Sequence, residues 1–274
     1  MESLETDVCV VGAGNAAICA ALAARERGAE VTILECAPVA ERSGNTRFTA
    51  GAMRVAYDGV DDIVKLVPDL SEEERRITDF GTYTTDQFFD DIARLTQYRA
   101  DPDMVEILVK RSLDTLLWMR SKGVRFVPMY GRQAFKVDGR FTFWGGLAVE
   151  AWGGGPGLVE MLFAAVEKHE IDVRYETSAV SLLHDDDGVT GVRARRKGRT
   201  LEVRARAVVP GLSGARVQRL VMVQAAERER LVAELREPWA VPGPLSPEPR
   251  EQAEPQAWPP WQPSERPLRA EERW

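Results

Sequence analysis

Near the start of this 274-residue chain, Gly12-Ala13-Gly14-Asn15-Ala16-Ala17 sets two glycines among small residues at a spacing suited to a phosphate chain. Gly12 permits a tight turn, and Gly14 lets backbone come close to a pyrophosphate held by the amides at a helix N-terminus. Ala17 stands where a third glycine is usual, a substitution this pattern tolerates. Glu35 lies 23 residues after Gly12. That is near the spacing at which a carboxylate accepts hydrogen bonds from ribose hydroxyls and disfavours a 2′-phosphate.

The elements needed to position these residues are legible around them. Residues 7–11 form a short apolar run that reads as a strand. Residues 16–27 are alanine-rich and closed by Gly28, which reads as a helix, and 30–34 read as a second strand. Together they make one βαβ unit, and dinucleotide binding is the expectation; a purely structural glycine turn in another α/β protein is the alternative. The early position of the unit, the acid ending its second strand and the lack of a second complete βαβ unit nearby favour FAD over NAD.

A second segment sharpens this. Residues 41–57, ERSGNTRFTAGAMRVAY, string Ser43, Gly44, Asn45, Thr46, Thr49 and Gly51 along a polar loop able to hydrogen-bond a pyrophosphate and run beside a flat ring. Here the sequence resembles the flavoprotein subunits of the succinate dehydrogenase and fumarate reductase superfamily. With residues 86–126 and 130–162 added, it resembles the tricarballylate dehydrogenase branch in particular, over about residues 6–209.

The resemblance implies a Rossmann-like α/β FAD-binding domain at 1–209, carrying a helical insert at about 60–150 and a β-meander. It implies that Gly12, Gly14, Asn15, Ala16, Ala17 and Glu35 hold the ADP half, with backbone at Ala179 and Val180 meeting the adenine. Arg42, Ser43, Gly44, Asn45 and Thr46 would serve the diphosphate and ribityl chain, and Ala50, Gly51 and Ala52 the flavin ring. No histidine occurs between residues 41 and 51, where related subunits attach flavin covalently, so the FAD is expected to be non-covalent. The implied reaction oxidises tricarballylate to cis-aconitate with hydride passing to flavin. The implied partners are a small di- or tricarboxylate substrate and a membrane-bound iron–sulfur or cytochrome electron acceptor.

Further along, 71–95 reads as two helices and 103–122 as a stronger one, with Pro102 at its start and Gly123 just past its end. Residues 153–157 are a second glycine-rich turn, followed by a helix at 158–169. Strands are expected at 171–175, 179–184, 189–195 and 201–209, the last three joined by the turns DDDG and RKGR.

Composition changes abruptly at Pro210. Residues 210–274 hold 11 of the 16 prolines and 4 of the 7 tryptophans, yet no Lys, Asp, Asn, Thr, Ile, Phe, Tyr, His or Cys. From residue 238 on, proline density excludes helices and central strands, so a proline-rich irregular tail is expected. The resemblance implies instead an ACGG-like turn, then a capping domain with an arginine acid/base and carboxylate-binding residues. None has a counterpart here, so 210–274 reads as an aberrant, out-of-frame end or the tail of a short paralogue. The chain is then a working oxidoreductase completed by other parts, a catalytically inactive FAD-binding fragment, or an NAD-binding module.

Several function classes are disfavoured. A net charge of −7 opposes binding to nucleic acid. Cys9, Cys19 and Cys36 form no C-x-x-C pair, and two histidines support neither a triad nor a metal centre, so no metal is expected. The triple acid 185–187 before Gly188 reads as a hairpin turn. Residues 130–144, where Arg132, Gln133, Lys136 and Arg140 alternate with Phe135, Phe141, Phe143 and Trp144, suit a plain hairpin or a surface facing a tricarboxylate. Met104, Leu108, Leu116 and Met119, at helical spacing, read as core. No leader or membrane span is evident, and a cytoplasmic location is expected.

Overall fold

The computed structural model describes residues 2–143 and 145–211; Trp144 and the tail expected beyond residue 211 lie outside the described residues. In chain order the elements are β1 (Glu2–Val11), α1 (Asn15–Glu26), β2 (Val31–Leu34), 3-10 turns at Val39–Glu41 and Gly44–Phe48, β3 (Ala52–Met53), α2 (Val60–Leu66), α3 (Glu72–Ile77) and β4 (Thr78–Asp79). They continue with α4 (Thr85–Leu95), α5 (Pro102–Ser121), β5 (Phe126–Pro128), α6 (Tyr130–Gln133), β6 (Ala134–Val137), β7 (Arg140–Phe143) and β8 (Val149–Ala151). The last are α7 (Gly154–Lys168), β9 (Asp172–Arg174), β10 (Thr177–Asp185), β11 (Gly188–Arg196) and β12 (Arg199–Pro210).

A six-stranded sheet in the order β10-β11-β12-β1-β2-β9 is the scaffold. Strands β12, β1, β2 and β9 run parallel, while β10, β11 and β12 form the antiparallel meander. Alternate residues of β1 face opposite ways, so both faces must be covered. Val10 packs with Ile18 and Leu22 of α1 and Leu162 and Phe163 of α7. Cys9 and Val11 face the other way and cluster with Leu34 of β2 and with Val192, Leu201 and Val203 of the meander. Burial pushes the thiols of Cys9 and Cys19 up to about 12, which keeps both protonated and unreactive.

The insert is helical through α5 and then turns to strands, forming two small sheets, β3-β8-β5 and β4-β7-β6. Its helices start where side chains can satisfy free amides. Ser71 with Glu74 and Thr84 with Gln87 form capping boxes, and Asp101 caps α5 ahead of Pro102. Gly123, at φ 102°, follows the end of α5.

The expected core stripe on α5 is corrected in part. Leu116 and Met119 are buried, but Met104 is 63% and Leu108 is 55% exposed. The covered stripe runs from the partly buried Val105 through Val109, Ser112, Leu116 and Met119, so Met104 and Leu108 lie off the face that packs on the core. Residues 130–143 fold as the expected hairpin, β6 against β7, and Asp185 accepts the amide of Asp187 within the β10–β11 turn. Among the described residues no helix is long and apolar enough to cross a membrane.

Candidate cofactor site

The site is built at the ends of β1 and β2. Gly12 leaves β1 at φ 94° and donates its amide to the Leu34 carbonyl at 2.7 Å, which ties the turn to the neighbouring strand. A side chain at this φ would be strained, so glycine is required. Gly14 is the N-cap of α1 and offers no side chain to the free amides of the first turn. The cap comes from elsewhere: the Thr46 hydroxyl accepts the Asn15 amide at 3.0 Å. A Cβ on Gly14 would stand 3.4 Å from that same oxygen, in van der Waals contact with the loop. Ala16 is exposed at the mouth of the helix and Ala17 is fully buried.

Glu35 ends β2 and is 5% exposed. Its carboxylate accepts the Ala37 amide at 2.8 Å, its own amide bonds to the Arg174 carbonyl, and its carbonyl accepts Thr177 at the start of β10. That last bond brings the strand carrying Ala179 and Val180 alongside Glu35. The β10–β11 register slips between Ala179 and Ser181, leaving Val180 in a bulge and half exposed. A bulge frees backbone from the ladder, which suits a strand expected to meet a base through its main chain.

The loop at 42–52 is folded against the N-terminus of α7. Ser43 is 1% exposed and left-handed at φ 80°, and its carbonyl accepts the Thr46 amide. Gly44 and Asn45 are exposed at the loop tip. Gly155 donates to the Thr49 carbonyl, and a Cβ there would come within 2.4 Å of the Thr46 carbonyl oxygen. Gly51, at φ 71°, packs so closely on Gly154 that a Cβ would sit 2.8 Å from its carbonyl carbon. Ala50 lies on the same glycines, and Ala52 pairs with Glu150 in β8.

Arg42 turns its guanidinium onto α7. It stacks 3.9 Å from the centre of the Phe163 ring, donates to the Tyr175 hydroxyl at 3.2 Å and stands 3.6 Å from the Glu160 carboxylate. It therefore fastens the loop to α7, a role its place in the loop does not signal.

Sequence reading also missed two contributors. Gly153, Gly154 and Gly155 wall the loop, although their run was visible as a turn. Gly211, just past β12, donates to the Val11 carbonyl at 2.9 Å and leaves no room for a Cβ against Ala17. Its bareness explains why alanine is accommodated at position 17; the signal was a glycine directly after a strand at the sheet's cofactor end.

The arrangement offers amides at a helix N-terminus, a hydroxyl loop above them and a buried carboxylate one strand away. These donors and acceptors fit a dinucleotide's diphosphate and ribose. Two concavities of about 530 and 600 Å³ lie elsewhere, one beside Asp69 and Arg125, the other beside Asp7 and Glu170.

Comparison with known proteins agrees with this geometry. The FAD binding domain family matches residues 7–240. The chain is 31% identical to a fumarate reductase (cytochrome) of Shewanella frigidimarina over 184 residues, covering 66% of this chain and 28% of that protein. It is 25% identical to an NADH:fumarate oxidoreductase of Klebsiella pneumoniae (strain 342), covering 76% of this chain and 20% of the other. The solved open conformation of a flavocytochrome c3 fumarate reductase superposes with a TM-score of 0.55 at 26% identity, over 76% of this chain and 34% of that one. The chain thus spans less than a third of the length of these two relatives. The chain belongs to the FAD binding domain family, within the succinate dehydrogenase and fumarate reductase flavoprotein superfamily, and its cofactor is FAD.

Proposed function

We propose that this chain supplies the flavin-holding part of an FAD-dependent oxidoreductase acting on a small di- or tricarboxylate, with tricarballylate to cis-aconitate as the specific reaction. The observation that carries the reading is the convergence of the α1 N-terminus, the Thr46 hydroxyl and the buried Glu35 at one end of the parallel sheet. The names of the similar proteins point to fumarate as an alternative acid.

When bound, FAD supplies a two-electron acceptor for hydride from a carbon next to a carboxylate. The chain's own residues bind and orient it. Amides at Ala16 and Ala17, with Asn15 tied to Thr46 at the helix start and Gly12 and Gly14 opening the approach, hold the diphosphate. Thr46 accepts from Asn15 and keeps its own O–H free to donate to a phosphate oxygen. Glu35 takes the adenosine ribose, the bulge at Ala179 and Val180 the adenine, and Ala50, Gly51 and Ala52 the ring. Ser43, Gly44 and Asn45 flank the diphosphate, with Arg42 fixing their loop. The FAD is held without a covalent bond, since no histidine stands at residues 41–51.

The cofactor-holding domain is proposed to end near residue 209, with 210–274 a separate proline-rich segment in place of a capping domain; the change of composition at Pro210 supports this, and the family match running to residue 240 weighs against it. The groups that clamp the acid and take its proton then come from other sequence. Electrons leave to a membrane-bound iron–sulfur or cytochrome partner, and the site of action is the cytoplasm.

Titrating the purified chain with FAD tests the reading. Uptake with flavin absorbance near ~450 nm is expected; a chain that stays colourless and releases no heat overturns it. Turnover of tricarballylate, succinate and fumarate with artificial electron carriers separates the acids and separates an active protein from an inactive holder of FAD.

A further inference from the structure

Glu150 has no part in the reading above. It is the central residue of β8, with Ala52 of β3 directly opposite on one side and Val127 of β5 on the other. Directly opposed residues of antiparallel strands project to the same face. Ala52, Glu150 and Val127 therefore share one face of this small sheet, and all three are half-buried. On the opposite face Phe126, Val149 and Ala151 are buried in the core, with Met53 and Pro128 half-buried beside them. Neither cross-strand neighbour of Glu150 carries charge, and among the described residues it makes no ion pair. Burial raises its pKa, and Arg132 in α6, the charged group that acts on it, opposes the rise. A carboxylate in such a place costs desolvation energy that no direct partner offsets.

We propose that Glu150 sets the electrostatic field at the flavin ring, its carboxylate opposing the added negative charge of the reduced flavin and so holding the reduction potential low. This rests on the reading that Ala50, Gly51 and Ala52 line the ring, because it is Ala52 that puts Glu150 on the ring's side of the sheet. Arg132 limits the effect, and protonation of Glu150 abolishes it.

The test is the reduction potential of the FAD-loaded chain, measured by stepwise reduction beside a reference dye from about pH 5 to about pH 8. With Glu150→Gln, the ratio of reduced to oxidised flavin at a fixed dye potential rises about tenfold near pH 8, the scale of one unit charge close by. The difference shrinks as pH falls, because the carboxyl of the unaltered chain then becomes neutral too. Glu150→Asp keeps the charge and stays close to the unaltered chain. If the flavin is held and Glu150→Gln leaves the potential unmoved, or Glu150→Asp shifts it equally, the inference fails while the cofactor reading stands. Failure of the unaltered chain to take up FAD overturns both.

Discussion

The Thr46 hydroxyl accepts the backbone amide of Asn15 at 3.0 Å, so a loop 31 residues away caps the helix whose own N-cap, Gly14, has no side chain. This division of labour lets one position stay bare for a diphosphate while another supplies the oxygen. Replacing Thr46 with Val removes both the acceptor for Asn15 and the hydroxyl proposed to donate to the phosphates. The loss of a hydrogen bond to a charged group is worth about 1.5–3 kcal/mol, or about 10- to 100-fold in affinity. Titration calorimetry with FAD should read that weakening in Thr46→Val and near-normal binding in Thr46→Ser.

Gly51 and Gly28 both have positive φ, yet their surroundings differ. A Cβ at Gly28 meets nothing within 4 Å, whereas one at Gly51 would strike the Gly154 backbone at 2.8 Å. Gly28→Ala should therefore cost only the left-handed penalty, about 1 kcal/mol. Gly51→Ala adds an overlap against rigid backbone that requires the loop and α7 to separate, and should cost at least about 2 kcal/mol more. Urea unfolding of the two variants distinguishes them, and equal losses would contradict the close packing of loop on helix.

Ser43 is left-handed and almost wholly buried. A non-glycine residue pays roughly 1–2 kcal/mol for that conformation, partly offset by the lower entropy of its unfolded chain. Among the described residues its hydroxyl donates to the adjacent Arg42 carbonyl alone. Ser43→Gly is thus expected to raise the stability of the FAD-free chain by about 0.5–1 kcal/mol, read as a higher Tm in calorimetry.

Glu26, at the end of α1, accepts from Lys122 and from the Trp118 indole at 2.7 Å, pinning α5 of the insert to the sheet layer. The Lys122 hydrogen bond, with that of Trp118, lowers the Glu26 pKa below its ordinary value. A lowered carboxyl contributes stability above the unfolded pKa and loses it as pH falls through the folded one. Lys122 is mostly covered, but Glu26 is open enough to solvent for the pair to be screened, so Glu26→Gln should cost about 1 kcal/mol or less near neutrality. Thermal melts should show that difference vanishing toward about pH 3, whereas a difference that grows in acid would contradict the assignment.

The βαβ unit around Gly12 and Glu35, the helix at α5 and the meander strands were legible because their signals are local: a glycine turn, apolar periodicity, an N-cap, a hairpin turn. Apart from the β6–β7 hairpin, the two small sheets of the insert were not, since strands of two to four residues carry too little pattern and pair across long separations, as β3 does with β8. Met104 and Leu108 follow the same helical spacing as Leu116 and Met119; only packing decides that the covered face of α5 runs through Val105 and Val109 instead. In the proposed site, residue types and spacing suggested Gly12, Gly14 and Glu35, because phosphate and ribose binding call for bare backbone and a carboxylate. That Thr46 caps α1, that Arg42 grips Phe163 and Tyr175, and that Gly155 and Gly211 make room for their neighbours depended on the tertiary structure. Close approach between segments distant in the chain is set by how layers stack, and no spacing within one segment encodes it.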